Sequence, residues 1–400
     1  MSISREVLNT EIERRIERTR DEMTRKGYDA LIVYGNNKVY GSLRYLTDYF
    51  PDRCGWISLG GMETYLFDGA ALLLPRTGEP VLLLDVGMVL GKEVCTHKVI
   101  SGSFGAGKDG GLSAKLIGKI LNDNGTVKVV GIETWDRFPA PLFLDLKKEL
   151  PKADFVHSTI VEELRMIKST LELEIFRKAA KIGDIGHQVF AENLRNGGIG
   201  KTELELIRQT EYAMRSRDPI YEDSVENSPS LICSGFPVGG GLLHLPHQSK
   251  TIQPGDAVHW DICTRYNGYS IDTSRTKVIG EPTTAQQHAY DTSIMMLEEV
   301  LKNAKPQVPA VELVNIASKI AQARGYVLMD HFLGHGIGID PHERPDLVRE
   351  ETLLQENMVL AIEPRVVVDG IYVLGIEEMV WVTPDGGVAL TQFERTPLEL

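Results

Sequence analysis

Read for the spacing of its apolar positions, the chain changes character near residue 160. Residues 5 to 26 carry apolar side chains at helical spacing among charges, the pattern of a surface helix. "DALIVYG" (29–35) is a short β-rich run. "YLTDYF", "WISLGG", "GAALLLPRTGEPVLLLD" and "VKVVGIETW" continue the short apolar runs, punctuated by Gly and Pro. Within them "LLLPRTGEPVLLL" predicts a hairpin, two apolar runs around a polar turn. Helical spacing returns near Asp145. This first part, residues 1–160, reads as a small α/β domain.

Beyond it, "LRMIKSTLELEIFRKAAKIGDIGHQVF" opens a long amphipathic helix. Ser169 is placed to cap it, with Glu172 completing a capping box, and Thr202 with Glu205 repeats the device for a second helix. A polar loop, "RDPIYEDSVENSPS", leads to the run "LICSG". Helices are predicted again over 284–304 and 310–324, the latter ending at Gly325, and strand and turn signals dominate from Tyr326. Residues 161–400 therefore read as a second, α+β domain.

Composition narrows the class. The 400 residues are 42% hydrophobic and 25% charged, with a net charge of −13. That sign argues against nucleic-acid and anionic-membrane partners, which require a basic face. Cys54, Cys95, Cys233 and Cys263 show no paired spacing, so neither a disulfide framework nor a cysteine-based zinc site is expected. The first residues are charged rather than apolar, and no apolar run approaches the ~20 residues of a membrane span. A cytoplasmic protein is expected. "SGSFGAGKDGG" (101–111) lacks the Gly-Lys-Ser/Thr ending of a phosphate-binding loop and reads as a plain loop.

The candidate chemistry starts at "HWDICTRYNGYSID" (259–272). If Asn267-Gly268 is a two-residue hairpin turn, Tyr266 pairs with Tyr269 and Cys263 with Asp272. Asp261, two residues from Cys263, then shares a face with Asp272. Two carboxylates on one side of an apolar ribbon repel unless a cation joins them; exposed, turn-flanking aspartates are the plainer alternative. "FLGHGIGIDPHERPDL" adds His335 and His342. "LAIEPRVVVDGIYVLGIEEMVWVT" adds Glu363 and Glu377 in apolar, strand-like settings. A two-residue turn at Asp369-Gly370 would put these glutamates on opposite faces. An odd-length loop centred on Gly370 would put them opposite each other, and a shared site needs the second. Four carboxylates and one imidazole suit two divalent ions such as Mn²⁺, Fe²⁺, Co²⁺ or Zn²⁺, without choosing among them.

In order and spacing these stretches resemble the metallopeptidase family of methionine aminopeptidase, prolidase, aminopeptidase P and creatinase, the pita-bread fold. "SGFPVGGGLLH" with "TIQPGD" resembles its substrate-side histidine segment, "DICTRYNGYSIDTSRT" its two-aspartate hairpin, "GHGIGIDPHERP" its second histidine segment, and "IEP" and "IEE" its glutamate segments. The likeness spans about residues 160–400; the first part resembles the creatinase-type N-terminal domain. The resemblance implies that Asp261, Asp272, His335, Glu363 and Glu377 hold two metal ions that activate water against an amide carbon. It implies that Glu363 helps move the proton and that His244 and His342 contact the substrate. His247 is expected at the rim, and His259 shares the face of Asp261. Three departures bear on substrate: Gly375 stands where an arginine is common, Arg365 where a glycine is common after Ile-Glu-Pro, and "VHW" precedes the first aspartate where aliphatic residues are usual. Arg365 reads equally as a fork for a substrate carboxylate or as an exposed residue at a strand start. The leading expectation is a homodimeric hydrolase of an Xaa-Pro or similar small peptide bond. The alternatives are a creatinase- or ectoine hydrolase-like enzyme for a small non-peptide C–N substrate, a small-zwitterion lyase, and an inactive binding module.

Overall fold

The computed structural model describes residues 3–36, 38–51, 69–84, 98–101, 111–123, 125–217, 230–235, 245–329, 332–348, 350–368 and 372–400. The chain divides into two compact units, Met1–Arg165 and Met166–Leu400.

In the first unit, α1 (Arg5–Lys26) starts at Ser4, whose side chain accepts the Val7 N–H, and stops at Gly27, held at φ 75°. Strands β1 (Ala30–Gly35), β2 (Ala70–Pro75), β3 (Val81–Leu84), β4 (Lys98–Ser101), β5 (Val129–Glu133) and β6 (Asp154–His157) form one sheet, ordered β4-β3-β2-β1-β5-β6. The expected hairpin is β2–β3, with Leu73 facing Val81. The β-like reading of "YLTDYF" is corrected: Tyr45 to Thr47 end a helix, α2 (Gly41–Thr47), closed by Asp48 at φ 56°. A fully buried two-turn helix offers no polar face from which a period can be read. "WISLGG" and most of "SGSFGAGKDGG" lie outside the described residues. Helical structure also returns before Asp145, in α3 (Ala114–Asp123), ahead of α4 (Ala140–Glu149). Gly118 weakens the helical signal there, yet the packing requires it: a Cβ at Gly118 would stand 2.9 Å from the Cβ of Glu149. Helix α5 (Ile160–Met166) marks the division between units.

The second unit opens with α6 (Thr170–Arg195). Its capping box is formed as expected: Ser169 Oγ accepts the Glu172 N–H, and the Glu172 carboxylate accepts the Ser169 N–H. Thr202 and Glu205 do the same before α7 (Glu203–Arg217). Strands β7 (Leu231–Ser234), β8 (Ala257–Tyr266) and β9 (Tyr269–Val278) make an antiparallel sheet. Helices α8 (Thr284–Asn303) and α9 (Ala310–Ala323) follow. The rest is strand: β10 (Gly334–Gly336), β11 (Glu343–Asp346), β12 (Val359–Ile362), β13 (Arg365–Val368), β14 (Tyr372–Gly375), β15 (Glu378–Thr383) and β16 (Gly386–Ala389). They form a five-stranded sheet, β11-β10-β12-β15-β16, and a ribbon, β13–β14.

Two apolar clusters fix these sheets. Phe190 and Leu194 of α6 pack on Trp260 and Ile262 of β8, with the Phe190 and Trp260 rings stacked at 4.5 Å. Leu297, Val300, Leu313 and Ala317 of α8 and α9 pack on Leu360, Leu374 and Val380. Burial of such side chains contributes roughly 1.5–3 kcal/mol each. The outcome for function is positional: one face of the β8–β9 ribbon is sealed by α6, and the other is left for polar groups.

Candidate metal centre

Asn267 and Gly268 both have positive φ, 48° and 80°. Such a two-residue turn matches the twist of its strands. Tyr266 consequently faces Tyr269, Cys263 faces Asp272, and Asp261 faces Ser274. His259, Asp261, Cys263, Asp272, Ser274 and Thr276 thus share one face, and Trp260, Ile262, Thr273 and Arg275 the other.

The glutamates meet because two ladders share one register. Ile362 faces Glu378 across β12–β15, and Arg365 faces Gly375 across β13–β14. Glu363 and Glu377 therefore fall opposite each other at the junction, the arrangement the odd-length loop centred on Gly370 requires. His335 sits in β10, where Ala361 faces it. Gly334 makes that close pairing possible, since a Cβ there would stand 1.9 Å from the Ala361 carbonyl oxygen.

The side chains converge. His335 Nε2 lies 3.8 Å from Asp272 Oδ2 and 3.6 Å from Glu363 Oε1. Its Nδ1 is 3.0 Å from the Gly336 carbonyl oxygen, which can only accept. Nδ1 therefore carries the proton and Nε2 a bare lone pair, the tautomer a metal-binding histidine needs. Burial lowers the His335 pKa to about 4, which keeps the ring neutral. Cys263 Sγ is 3.5 Å from Asp261 Oδ1 and 3.4 Å from Asp272 Oδ1. Three sets of donor atoms lie mutually within 4.8 Å: Asp272, His335 and His342; Asp261, Cys263 and Asp272; and His335, Glu363 and Glu377.

Electrostatics shows what the cluster lacks. Burial pushes Asp261 up to about 6, with Glu363 adding to the rise and Arg365 opposing it. Burial, then the neighbouring carboxylates, raises Asp272 and Glu377 well above the usual range. His335 Nε2 and Glu377 Oε2 are buried with no hydrogen-bond partner. Crowded carboxylates with orphaned buried donor atoms fit a divalent cation, which supplies the missing charge and coordination together.

Arg365 corrects the reading of an exposed strand-start residue. It is 7% exposed, with one terminal guanidinium nitrogen 2.5 Å from Glu363 Oε2, 3.7 Å from Glu377 Oε2 and 3.8 Å from Asp261 Oδ2. Burial disfavours its charge, but Glu363, Glu377 and Asp261 outweigh that and raise its pKa. Spacing placed Arg365 on the Glu363 side of the strand; it gave no sign that three protein carboxylates would take the guanidinium.

His342 is exposed and stacks on His335, ring centroids 3.7 Å apart. His244 lies outside the described residues. His247 is partly buried and bonded through Nδ1 to Ser249 Oγ at 3.1 Å. His259 Nδ1 meets Thr276 Oγ1 at 2.8 Å, and that hydroxyl gives its only proton to the Gly375 carbonyl at 2.6 Å. Nδ1 of His259 must then donate, leaving its buried Nε2 as a partnerless acceptor. Sequence reasoning set the cysteines aside as scattered; the period of two that places Cys263 between the aspartates was the signal for it.

The model of metallopeptidase family M24 matches residues 174–384, and that of the creatinase/prolidase N-terminal domain matches residues 15–167. An Xaa-Pro dipeptidase of Pyrococcus horikoshii is 32% identical over 275 residues, 67% of this chain and 74% of that protein. A putative dipeptidase of Bacillus subtilis is 32% identical over 62% of this chain and 67% of its own. Among solved structures, the prolidase of Thermococcus sibiricus superposes with a TM-score of 0.80 at 26% identity, covering 100% of both chains. The prolidase of Pyrococcus horikoshii gives 0.76 at 26% identity, covering 96% of this chain and 99% of its own.

The family model and the Xaa-Pro dipeptidase relatives make this pita-bread domain, preceded by a creatinase-type domain, that of a metal-dependent peptidase. The chain belongs to metallopeptidase family M24. Among the described residues no helix is long and apolar enough to cross a membrane.

Proposed function

We propose that this protein is a dinuclear-metal hydrolase that cleaves an Xaa-Pro or similar small peptide bond. The observation that carries the reading is the convergence of Asp261, Asp272, His335, Glu363 and Glu377, with buried donor atoms left over at His335 Nε2 and Glu377 Oε2. The relatives named Xaa-Pro dipeptidase supply the substrate class. In this reading the five side chains hold two divalent ions of the Mn²⁺, Fe²⁺, Co²⁺ or Zn²⁺ group. Bound there, such ions supply Lewis acidity toward the carbonyl and a lowered pKa for water.

The chain's own groups do the rest. Glu363 presents Oε1 toward His335 and gives Oε2 to Arg365, so its carboxylate is fixed in orientation as the group that takes up and returns a proton. His342, exposed beside His335, contacts the substrate, and His244 is assigned the same task. Residues 161–400 carry the catalysis and residues 1–160 form the creatinase-type domain. The protein works as a cytoplasmic homodimer on small peptides.

One observation bears on the substrate class. The Arg365 guanidinium faces protein carboxylates rather than open space, so it is not a ready fork for a peptide C-terminus. Creatine- and ectoine-like substrates carry a carboxylate as well, so the occupied guanidinium bears on how either class is held, and a small non-peptide C–N substrate of the creatinase or ectoine hydrolase kind stands as the second reading. Turnover of Xaa-Pro dipeptides, longer Xaa-Pro peptides and ectoine-like amides, each with Mn²⁺, Fe²⁺, Co²⁺ and Zn²⁺, separates the two. Hydrolysis of the amides alone would replace the peptidase reading.

A further inference from the structure

The face that presents Asp261 and Asp272 also presents a thiol between them. Cys263 is set there by the ribbon's register, directly across from Asp272 and two residues along the strand from Asp261. Its Sγ lies 3.4 Å from one aspartate oxygen and 3.5 Å from the other. A thiol has one proton, so it can satisfy one of these contacts. The other sets a sulfur lone pair against an aspartate oxygen in a buried site, a contact that needs either a proton on that aspartate or a cation between the two.

The separations suit a shared ion. Metal–sulfur bonds of ~2.3 Å and metal–oxygen bonds of ~2.1 Å at a tetrahedral angle put the two donors about 3.6 Å apart. Both observed S···O distances are near that value. A second, independent feature points the same way: His335 Nε2 and Glu377 Oε2, from other segments of the chain, are buried in this cluster without hydrogen-bond partners.

We propose that Cys263 is a thiolate ligand of the metal centre, lying with Asp261 and Asp272 around one ion and adding a soft donor to an otherwise oxygen-rich set. The proposal rests on the metal-centre reading above. Ion binding breaks the S–H bond and forms a metal–sulfur bond; the proton leaves to solvent, and nothing is oxidised or reduced. A thiolate favours Zn²⁺, Co²⁺ and Cd²⁺ over Mn²⁺ and Mg²⁺, which prefer oxygen. The centre is thereby biased toward thiophilic ions and open to capture by Cd²⁺.

The test uses the full-length protein, stripped of metal and reloaded with Co²⁺. The near-ultraviolet spectrum should show a sulfur-to-cobalt charge-transfer band. That band should persist in Cys233→Ala, a control for the other cysteine described, and vanish in Cys263→Ser. Competition titrations should show the preference for Cd²⁺ over Mn²⁺ reduced about tenfold or more in Cys263→Ser. Wild-type protein that binds Co²⁺ without the band overturns the thiolate assignment alone, whatever the variants do. A band that survives in Cys263→Ser also overturns it. Wild-type protein that binds no Co²⁺ overturns the metal-centre reading with it.

Discussion

Two buried histidines flank the same ribbon, one on each face, and they differ in what is left over. On the α6 side, His187 Nδ1 accepts the Trp260 indole N–H at 2.9 Å, and Nε2 meets the Thr273 hydroxyl at 2.9 Å. Both ring nitrogens are used, and burial keeps the ring neutral. On the other side His335 spends Nδ1 on a backbone carbonyl and holds Nε2 among carboxylates without a hydrogen-bond partner. A saturated buried polar group is part of the structure; an unsaturated one, surrounded by others, awaits something the fold does not contain. Burial alone would class the two residues together.

The largest effect is expected where the unsaturated face is neutralised. Asp272→Asn should lower turnover by on the order of 10³-fold and reduce bound metal, because an amide cannot share charge between ions. Elemental analysis beside kinetics checks this, and full activity at unchanged metal content would defeat the dinuclear assignment. The two histidines should then part company. His335→Ala should weaken metal binding by on the order of 10²-fold while the stability of the metal-free protein changes little. His187→Ala should retain metal affinity but lose about 2–4 kcal/mol of stability, since it opens a cavity and strands the Trp260 N–H. Denaturant titrations of metal-free protein, paired with metal binding, would expose a swap of these outcomes.

The comparison extends to the first unit, where a solitary carboxylate is buried. Glu133 is fully buried, and its Oε1 accepts from the Ser158 hydroxyl at 2.6 Å and the Val161 N–H at 3.0 Å. Burial raises its pKa to about 7 from an ordinary 4.5. The folded state therefore holds the proton more tightly than the unfolded chain. The destabilisation is absent below about 4.5, grows as pH rises, and is complete above about 7, where it amounts to roughly 3 kcal/mol. Glu133→Gln should flatten that slope and be the more stable protein at pH 8; denaturant midpoints at pH 5 and pH 8 decide it. Smallest of all, Gly268→Ala should cost about 1 kcal/mol through its φ of 80°. Because the turn sets the register of both faces, metal affinity and stability should decline together, and a change in only one would separate turn from site.

Much of this was legible in the sequence for a geometric reason. A two-residue turn and a period of two fix every pairing along β8 and β9, so Asn267-Gly268 alone put Cys263 opposite Asp272. For Glu363 and Glu377 the same arithmetic left two loops open, and only the ladders of β12–β15 and β13–β14 place them opposite each other. The caps at Ser169 and Thr202 were equally local. What escaped depends on contacts between distant segments. Arg365 is buried by the carboxylates of Asp261, Glu363 and Glu377, residues far apart or on separate segments, which no local pattern announces. Helix α2 was hidden by having no exposed side, and α3 by the glycine that lets α4 approach it.

The spacing of the five candidate ligands along the chain has a consequence for biosynthesis. Asp261 and Asp272 leave the ribosome first, and Glu363 and Glu377 follow about a hundred residues later, at the junction of strands that complete each other's pairing. A chain interrupted anywhere before β15 presents two crowded aspartates and no full coordination set. If all five hold the metal, the full coordination set exists only in chains translated past Glu377.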